Sequence, residues 1–535
     1  MIGCEKFFAL RLINFTRMQL PRELPKRVEW VAAALTAILL ILSFPNFEFS
    51  FLAWVALAPL MWAVAQNPSP RRALMLGWAA GTVFFYGSCY WLTYSMIHYG
   101  GLPPVLAYLL LIPGALVVGI FPGLFTLLFA LGIKRWGDLG LLLAPVFWTA
   151  LEWFRLIVTG QLWNALGYSQ AYHPAFIQPA KWGGVYAVSF LILAVNAAVV
   201  FVILQQTPRR FVLAVMVVIL VAGVNVLSAV RTTYDSNAHD SFVYVVALQP
   251  NVPMELVKST GEMKELLDRH WSMSTNALAS LPTDNAPRFV IWPESPMNFT
   301  YAADLTFQQQ LANFTRQHHT ALLFNSLEPA ATNGFYNSAL LINEEGRLIS
   351  QYDKIRLMPF GEYVPLPQWL PGASLITGLV GDFTPGEKYT LMPFGHDRAG
   401  TFICIESAYP WIARRLTNEG ADVLINISND GYLGPTAVMR QHLANAVFRA
   451  VENGRPVLRV TNTGITAMID PRGRIRDQSV PFHTDVRVWQ VTRSSIVSTF
   501  YTRHGDVFVY ACTAITLLGL AAILLSSRRS FRQTR

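Results

Sequence analysis

The chain has 535 residues, of which 53% are hydrophobic and only 14% are charged. Because soluble domains carry about 25% charged residues, this composition excludes an ordinary soluble protein and indicates that a membrane holds much of the chain. A net charge of +9 would suit nucleic-acid binding, but the Lys and Arg residues lie beside apolar runs, so we interpret them as membrane-topology signals.

Eight apolar runs are long enough, or nearly long enough, to cross a hydrocarbon core of about 30 Å. They lie at about 29–44, 50–66, 73–97, 104–132, 139–158, 183–205, 211–230 and 506–526. The first two are short and flank Pro45-Asn46, so one shallow or strongly tilted hairpin is the alternative to two full spans. The pattern predicts an N-terminal membrane domain of about seven helices at 1–230, and a final helix with a short basic tail at 506–535.

The orientation follows from the short loops, because loops rich in Lys and Arg stay cytoplasmic. Basic pairs fall on one side of the predicted membrane segments: Lys26-Arg27, Arg71-Arg72, Lys134-Arg135, Arg209-Arg210 and Arg528-Arg529. The alternate short loops carry only Lys181. We therefore expect both termini to be cytoplasmic and residues 231–505 to lie outside. The first helix could instead be a signal peptide, but no small-x-small cleavage site follows it, so we expect it to remain uncleaved.

From Ser241 onward, short strand-like pieces alternate with amphipathic stretches, which predicts one α/β domain at 231–505. Strands are predicted at 242–248, 288–292, 321–325, 338–342, 400–405, 423–427 and 457–461, and helices at 262–279, 304–318 and 437–453. The membrane part and this domain are expected to form two units.

Three reactive residues stand out in the predicted outer domain. Glu294 and Cys404 lie at the ends of apolar strands, where α/β sheets commonly place their sites, and Lys354 lies in a connector that ends in a turn. A cysteine reacts as a thiolate, so it needs a base such as Glu294 and a cation such as Lys354. A single strand cysteine is more often a buried structural thiol, so the hypothesis depends on all three residues together.

The order of these residues and their neighbours resembles a known signature. Trp292-Pro293-Glu294, Asp353-Lys354, Pro359-Phe360-Gly361-Glu362 and Cys404-Ile405-Glu406 resemble the Glu-Lys-Cys motifs of the nitrilase superfamily. Membrane segments on both sides of the domain resemble one branch, the apolipoprotein N-acyltransferases, as do Asn426-Ile-Ser-Asn429-Asp430, Gln441-His442, Arg449-Ala450 and Arg459-Val-Thr461-Asn462-Thr-Gly464. The resemblance implies a periplasmic αββα sandwich attached to a polytopic α-helical domain in the bacterial inner membrane.

The same resemblance implies a reaction and its residues. Cys404 would take an acyl chain from a phospholipid, typically phosphatidylethanolamine, as a thioester. It would pass the chain to the α-amino group of the diacylglyceryl-cysteine at the N-terminus of an apolipoprotein. Glu294 would be the general base and acid and Lys354 the oxyanion stabiliser, with Glu362 and Glu406 in support. No cofactor, metal ion or nucleic acid is expected.

Some positions depart from the family pattern. Ile405 stands where an aromatic residue is common, Tyr432 stands where Trp is frequent, and no Trp occurs near Lys258. These departures leave the preferred donor and acyl chain open. Tyr432 and Asn337 are candidates for substrate binding.

Residues 366–381 contain no charged side chain, which is unusual for a connector that faces water. We predict a mobile lid in the membrane interface, with Trp369 at the headgroup boundary and Leu370 beside it. A loop that is merely buried in the domain is the alternative.

Two other functions share some of these features. A membrane-tethered amidase would use the same three residues but hydrolyse its thioester with water. A transporter would place ionisable residues inside its spans, and Glu152 and Arg155 lie near the outer part of the fifth segment. We interpret them as a local ion pair, since no internal repeat supports transport. A phosphate-binding glycine loop and metal-ligand spacing are both missing from the sequence.

Overall fold

The computed structural model describes residues 24–230, 242–254, 259–330, 334–359, 361–364, 382–492, 494 and 498–533, the last eight of these as helix backbone only. The N-terminal part is helical. Its helices are α1 (Arg27–Ser43), α2 (Ala53–Ala56), α3 (Ala58–Gln66), α4 (Pro70–Ser88), α5 (Leu92–His98), α6 (Pro104–Trp136), α7 (Ala144–Thr159), α8 (Pro174–Ile177), α9 (Ala180–Leu204) and α10 (Pro208–Val230).

Four helical segments among the described residues are long and apolar enough to cross a membrane. They are Pro104–Thr159, Ala180–Leu204, Pro208–Val230 and Val507–Leu525. The first has 56 residues and contains both α6 and α7, so it includes two of the predicted runs. The predicted run at 50–66 is a shorter apolar helical stretch, and the run at 73–97 is divided between α4 and α5.

Helices α4 and α6 pack closely because each presents two glycines one turn apart, Gly77 and Gly81 on α4 and Gly119 and Gly123 on α6. A Cβ atom at Gly81 would lie 2.7 Å from the main-chain oxygen of Gly119. Pairs of small residues at this spacing let helix backbones approach each other in membranes. The Thr126 hydroxyl on α6 donates a 2.6 Å hydrogen bond to the main-chain oxygen of Ala73 on α4.

The part of the chain after α10 contains the strands. They are β1 (Phe242–Gln249), β2 (Arg288–Ile291), β3 (Ala321–Pro329), β4 (Phe335–Ile342), β5 (Leu348–Asp353), β6 (Leu391–Phe394), β7 (Asp397–Ile403), β8 (Val423–Ser428), β9 (Val457–Thr461), β10 (Ala467–Ile469), β11 (Ile475–Gln478) and β12 (Asp485–Thr492). They form two six-stranded sheets, the first in the order β12-β1-β2-β3-β4-β5 and the second in the order β11-β10-β9-β8-β7-β6. Strands β1, β2 and β3 run parallel to one another, as do β7, β8 and β9.

The two sheets face each other across an apolar core and are covered by helices on their outer faces, so the layers are helix, sheet, sheet and helix, as predicted. Buried side chains such as Val245, Phe289, Ile403 and Ile425 fill the space between the sheets. The helices that follow in the chain are α11 (Thr260–Ala279), α12 (Leu305–His318), α13 (Pro410–Asn418), α14 (Val438–Asn453), α15 (Phe500–His504) and α16 (Val507–Gln533). Helices α11 and α12 cover the first sheet, and α13 and α14 cover the second.

Helix α14 lies between the second sheet and the membrane helices. One buried apolar cluster runs from the membrane helices through α14 to the second sheet, so the two parts of the chain share a core. Near the end of α14, Glu452 accepts a 2.9 Å hydrogen bond from the main-chain N–H of Val185 in α9. That N–H is available because Gly183 and Gly184 interrupt the helical conformation just before it.

Candidate active site

Glu294, Lys354 and Cys404 lie just beyond strand ends at one edge of the facing sheets. Glu294 follows β2, and Lys354 directly follows β5 in the same sheet. Cys404 directly follows β7 in the other sheet. The structure thus brings together the three residues that the sequence singled out. They are close enough for the charges of Glu294 and Lys354 to change the pKa of the Cys404 thiol.

The Lys354 ammonium is buried between two carboxylates. Its Nζ lies 2.9 Å from Glu362 Oε1 and 3.4 Å from Glu294 Oε1, and the residue is 1% exposed. Burial opposes the charged form, but the Glu294 and Glu362 carboxylates outweigh it and raise the pKa of Lys354 well above its ordinary value. Lys354 therefore stays protonated, which suits a fixed positive charge and excludes a general base.

Asn337 in β4 fixes the two carboxylates relative to each other. Its Nδ2 donates to Glu294 Oε1 at 2.9 Å and to Glu362 Oε1 at 2.7 Å. Asn325 donates to Asn337 Oδ1 at 2.7 Å, which sets the orientation of the Asn337 amide. Asn337 was predicted as a substrate-binding candidate, and in this structure its amide is occupied by the carboxylates.

Cys404 occupies a sharp turn between β7 and the 3₁₀ helix Cys404–Ala408. Its φ of +50° lies in the left-handed region, which side chains larger than glycine rarely adopt and which is frequent at reactive sites. The predicted strand at 400–405 therefore ends two residues too late, because β7 ends at Ile403 where the main chain turns, and it also begins three residues after the observed start at Asp397.

The Cys404 thiol is the neutral form at physiological pH. Burial raises the pKa of Cys404 far above its ordinary value, and the Glu294 carboxylate adds to this, while Lys354 acts in the opposite direction. A base must therefore remove the proton during the reaction. The sequence suggested that a cation such as Lys354 would favour the thiolate. Lys354 does lower the pKa of Cys404, but burial and the Glu294 carboxylate raise it by more.

Glu406 joins the Cys404 turn to the Lys354 connector. Its carboxylate accepts from the main-chain N–H of Ile403 at 2.7 Å and from that of Ile355 at 2.7 Å. It also accepts from the Tyr352 hydroxyl at 2.9 Å and is fully buried. Glu406 therefore holds the main chain beside Cys404 and the main chain beside Lys354 together.

The second oxygen of Glu294 accepts a 3.0 Å hydrogen bond from the main-chain N–H of Asn429, beyond β8. Sequence reasoning missed this contact, although Asn429 belongs to a segment that had been noted for its resemblance to the family. The bond orients the carboxylate between the two sheets. Glu294 is consequently held from both sides, by Asn337 in the first sheet and by Asn429 in the second.

Tyr432 lies at the junction with the membrane domain. Its ring stacks on Tyr99 with centroids 5.1 Å apart, and its main-chain oxygen accepts a 2.7 Å hydrogen bond from Ser95. The predicted lid at 366–381, with its candidates Trp369 and Leu370, lies outside the described residues.

Glu152 and Arg155 in α7 hold the connector that leads towards α8. Glu152 accepts from the main-chain N–H of Leu166, and Arg155 donates to the main-chain oxygen of Trp163, both at 2.7 Å. Their partners are main-chain groups of a folded connector, which indicates a structural role.

Comparisons with known proteins cover both parts of the chain. Residues 36–198 match the model of the apolipoprotein N-acyltransferase N-terminal domain, and residues 259–501 match the carbon-nitrogen hydrolase model. The yeast protein Nit3, a member of the nitrilase superfamily, aligns in structure with a TM-score of 0.37 and 19% identity, covering 48% of this chain and 93% of that chain.

Two relatives match this chain over most of its length. The apolipoprotein N-acyltransferase of Geobacter metallireducens is 32% identical over 516 residues, which cover 94% of this chain and 96% of that protein. The apolipoprotein N-acyltransferase of Pseudomonas putida is 32% identical over 459 residues, covering 84% of this chain and 88% of that protein. The resemblance predicted from the sequence motifs is confirmed, and the chain belongs to the apolipoprotein N-acyltransferase family.

Proposed function

We propose that this protein is a membrane acyltransferase that moves an acyl chain from a phospholipid to an apolipoprotein through a thioester on Cys404. The observation that carries this proposal is the cluster in which a neutral thiol, a fixed ammonium and an oriented carboxylate meet at the facing sheet ends. These are the groups that nucleophilic acyl transfer requires. Glu294, Lys354 and Cys404 are the proposed catalytic residues, and Asn337, Glu362 and Glu406 support them.

In the first half-reaction, Glu294 removes the thiol proton as the Cys404 sulfur attacks the sn-1 ester carbonyl of the donor. The negative charge on the tetrahedral oxygen is stabilised by the Lys354 ammonium. The main-chain N–H of Ile405 is a second donor, because N–H groups in the first turn of a helix lack an intrahelical acceptor. The ester C–O bond then breaks, Glu294 returns the proton to the leaving oxygen, and lysophospholipid departs.

In the second half-reaction, the α-amino group of the diacylglyceryl-cysteine attacks the thioester carbonyl. Glu294 takes a proton from the amine and returns one to the Cys404 sulfur as the C–S bond breaks. The products are an amide and the free thiol, so the enzyme is restored without a cofactor. Phosphatidylethanolamine is the proposed donor, and triacylated lipoprotein is the proposed product.

We further propose eight membrane segments, with the N-terminal domain at 1–230, the periplasmic catalytic domain at 231–505 and the final helix and tail at 506–535. The proposed location is the bacterial inner membrane, with both termini in the cytoplasm. This topology is supported by contacts of the loops that lack basic residues, because Glu48 and Tyr99 both contact the catalytic domain. On the side predicted to be cytoplasmic, Arg210 pairs with Asp138.

The test is a reconstitution of purified protein with phosphatidylethanolamine and a synthetic diacylated lipopeptide. We expect intact-mass analysis to show an acyl group on the protein that hydroxylamine removes, followed by lysophospholipid and N-acyl peptide. Cys404→Ala should fold and give none of these three species. Acyl transfer by Cys404→Ala would overturn the assignment, and release of free fatty acid alone would favour the tethered amidase.

The topology has its own test. A membrane-impermeant thiol reagent, applied to cells with a permeable outer membrane, should label a cysteine placed at Ser241 but not one placed at Ser69. The reverse labelling would overturn the proposed orientation.

A further inference from the structure

Two adjacent residues at the start of α14 contact different parts of the molecule. All four hydrogen bonds of the Gln441 amide go to the N-terminal domain. Its Oε1 accepts from the indole N–H groups of Trp91 at 3.0 Å and Trp163 at 2.8 Å. Its Nε2 donates to the main-chain oxygens of Pro45 at 2.8 Å and Ser88 at 2.9 Å. A buried amide with every bond satisfied fixes its position firmly.

The next residue, His442, contacts the nucleophile itself. Its Nε2 lies 3.0 Å from the main-chain oxygen of Cys404, and the residue is 3% exposed. Asn426 Nδ2 lies 3.4 Å from the same oxygen. The carbonyl group of Cys404 is therefore held by two side chains of the second half of the domain.

The hydrogen on His442 Nε2 follows from the partner, because a carbonyl oxygen can only accept. Nδ1 lies 2.9 Å from Asp430 Oδ1 and 3.1 Å from Arg459 Nη2. In the charged ring Nδ1 donates to Asp430, and in the neutral ring it accepts from Arg459. Nε2 donates to Cys404 in both forms, so this bond persists whatever the charge of the ring.

This bond acts on the residue with the unusual backbone. Cys404 has a φ of +50°, a conformation that persists only where the surroundings enforce it. If φ of Cys404 relaxed to an ordinary negative value, rotation about the N–Cα bond would move the carbonyl group and the side chain together, and the direction of the thiol towards Glu294 and Lys354 would change. The carbonyl contact from His442 opposes this rotation.

We infer that His442 is a positioning residue that holds the Cys404 backbone in its reactive conformation, and that Gln441 anchors His442 to the membrane domain. The Trp163 ring, 5.6 Å from the His442 ring between centroids, connects the two contacts. Attack by Cys404 on the donor ester thus depends on two buried residues of α14. Through Gln441, the N-terminal domain helps to set the geometry of the nucleophile.

A pair of matched variants separates this role from simple packing. Glutamine at 442 can place its amide nitrogen where Nε2 lies and keep the bond to Cys404. Asparagine at 442 reaches only the Nδ1 position, so it keeps the contact with Asp430 and loses the bond to Cys404. The measurement is the rate of acyl-enzyme formation by full-length protein in phosphatidylethanolamine nanodiscs, over a range of donor concentrations.

We expect His442→Gln to retain most of the maximal rate and His442→Asn to lose about 10²-fold, the scale of a small misplacement of a reacting group. The half-saturating donor concentration should be the same in both, because His442 is only 3% exposed and its Nε2 faces the main-chain oxygen of Cys404. Equal rates, or a faster His442→Asn, would overturn the positioning role.

If neither His442 variant folds, the double variant Trp91→Phe and Trp163→Phe provides the answer. It removes both donors to Gln441 Oε1 and keeps the ring beside His442. A lower maximal rate at unchanged half-saturation supports the inference, and an unchanged rate overturns it. The inference rests on the proposed chemistry of Cys404. A parent protein without an acyl-enzyme contradicts that chemistry, whereas an active parent with equal variants contradicts only the positioning role.

Discussion

Replacement of Glu294 by glutamine should have opposite effects on two reactions of the same thiol. Acyl transfer needs a carboxylate that accepts the Cys404 proton, so it should fall by about 10² to 10⁴-fold. Alkylation by a small neutral reagent such as iodoacetamide needs only the thiolate that is already present. Because the Glu294 charge contributes to the raised pKa of Cys404, alkylation should become faster.

The increase in the alkylation rate follows from the change in the pKa of Cys404. A like charge close to an acid raises its pKa by about one unit or more, so removing it gives about ten times more thiolate at a fixed pH below the pKa. A thiolate of lower pKa is less nucleophilic by about threefold per unit. We therefore expect Glu294→Gln to be alkylated roughly three to four times faster than the parent, and the rate in both proteins to rise with pH through the neutral and alkaline range.

Two further variants show whether the alkylation rate follows the charge beside Cys404. Lys354→Met removes the charge that lowers the pKa of Cys404, so it should slow both alkylation and transfer. Glu265→Gln changes an exposed carboxylate on α11 and should alter neither. Rates are measured by intact-mass analysis in detergent between pH 6 and pH 9, values chosen around the ordinary thiol pKa of about 8.5. Slower alkylation of folded Glu294→Gln would refute the proposed electrostatic coupling.

Three other substitutions test the residues that support the site and the packing of α4 against α6. Glu406→Gln should slow acyl-enzyme formation by at least about tenfold, because the amide nitrogen cannot accept from the main-chain donors and the two segments move apart; a normal rate in the same assay would contradict this. Asn337→Asp places a third carboxylate against two others and should abolish transfer while Asn337→Ser retains part of it; the opposite order would be contrary evidence. Gly81→Leu should lower the thermal midpoint through about 1–3 kcal/mol of overpacking, whereas Gly114→Leu, which has open space around its Cα, should not.

Most central strands could be predicted from the sequence, and the edge strands could not. All seven predicted strands correspond to observed inner strands, which are rich in apolar residues. The missed strands are β5, β6, β10, β11 and β12. Of these, β10 is an inner strand of only three residues, and β5, β6, β11 and β12 are the edge strands. Leu348–Asp353 shows the reason, because its first two side chains are exposed and its apolar pattern is weak. Lys354 therefore seemed to lie in a connector when it follows an edge strand.

The candidate reactive residues could be picked out because three suitable side chains occur together with a recognisable order and neighbours, but the residues that support them could not. A glutamate after a strand-ending Pro293 and a single outer cysteine are visible in the sequence. The bridging amide of Asn337 depends on β4 lying between the segments that carry Glu294 and Glu362, which only the three-dimensional fold reveals. His442 had no partners at ligand spacing in the sequence, and its partner in the structure is a main-chain oxygen.

The antiparallel pairing of β1 with β12 also limits how the catalytic domain can move. Phe242 and Thr492 are direct partners in that ladder, so the chain enters the domain and leaves it at the same corner. Two covalent connections at the same corner fix the position of a rigid domain but not its orientation, so the domain could still rotate about that corner. The angle between the catalytic domain and the N-terminal helices must therefore be set by non-covalent contacts, among them those of Gln441, Glu452 and Tyr432. Loss of these contacts would leave a domain that is still attached to the chain but no longer held at a fixed angle to those helices.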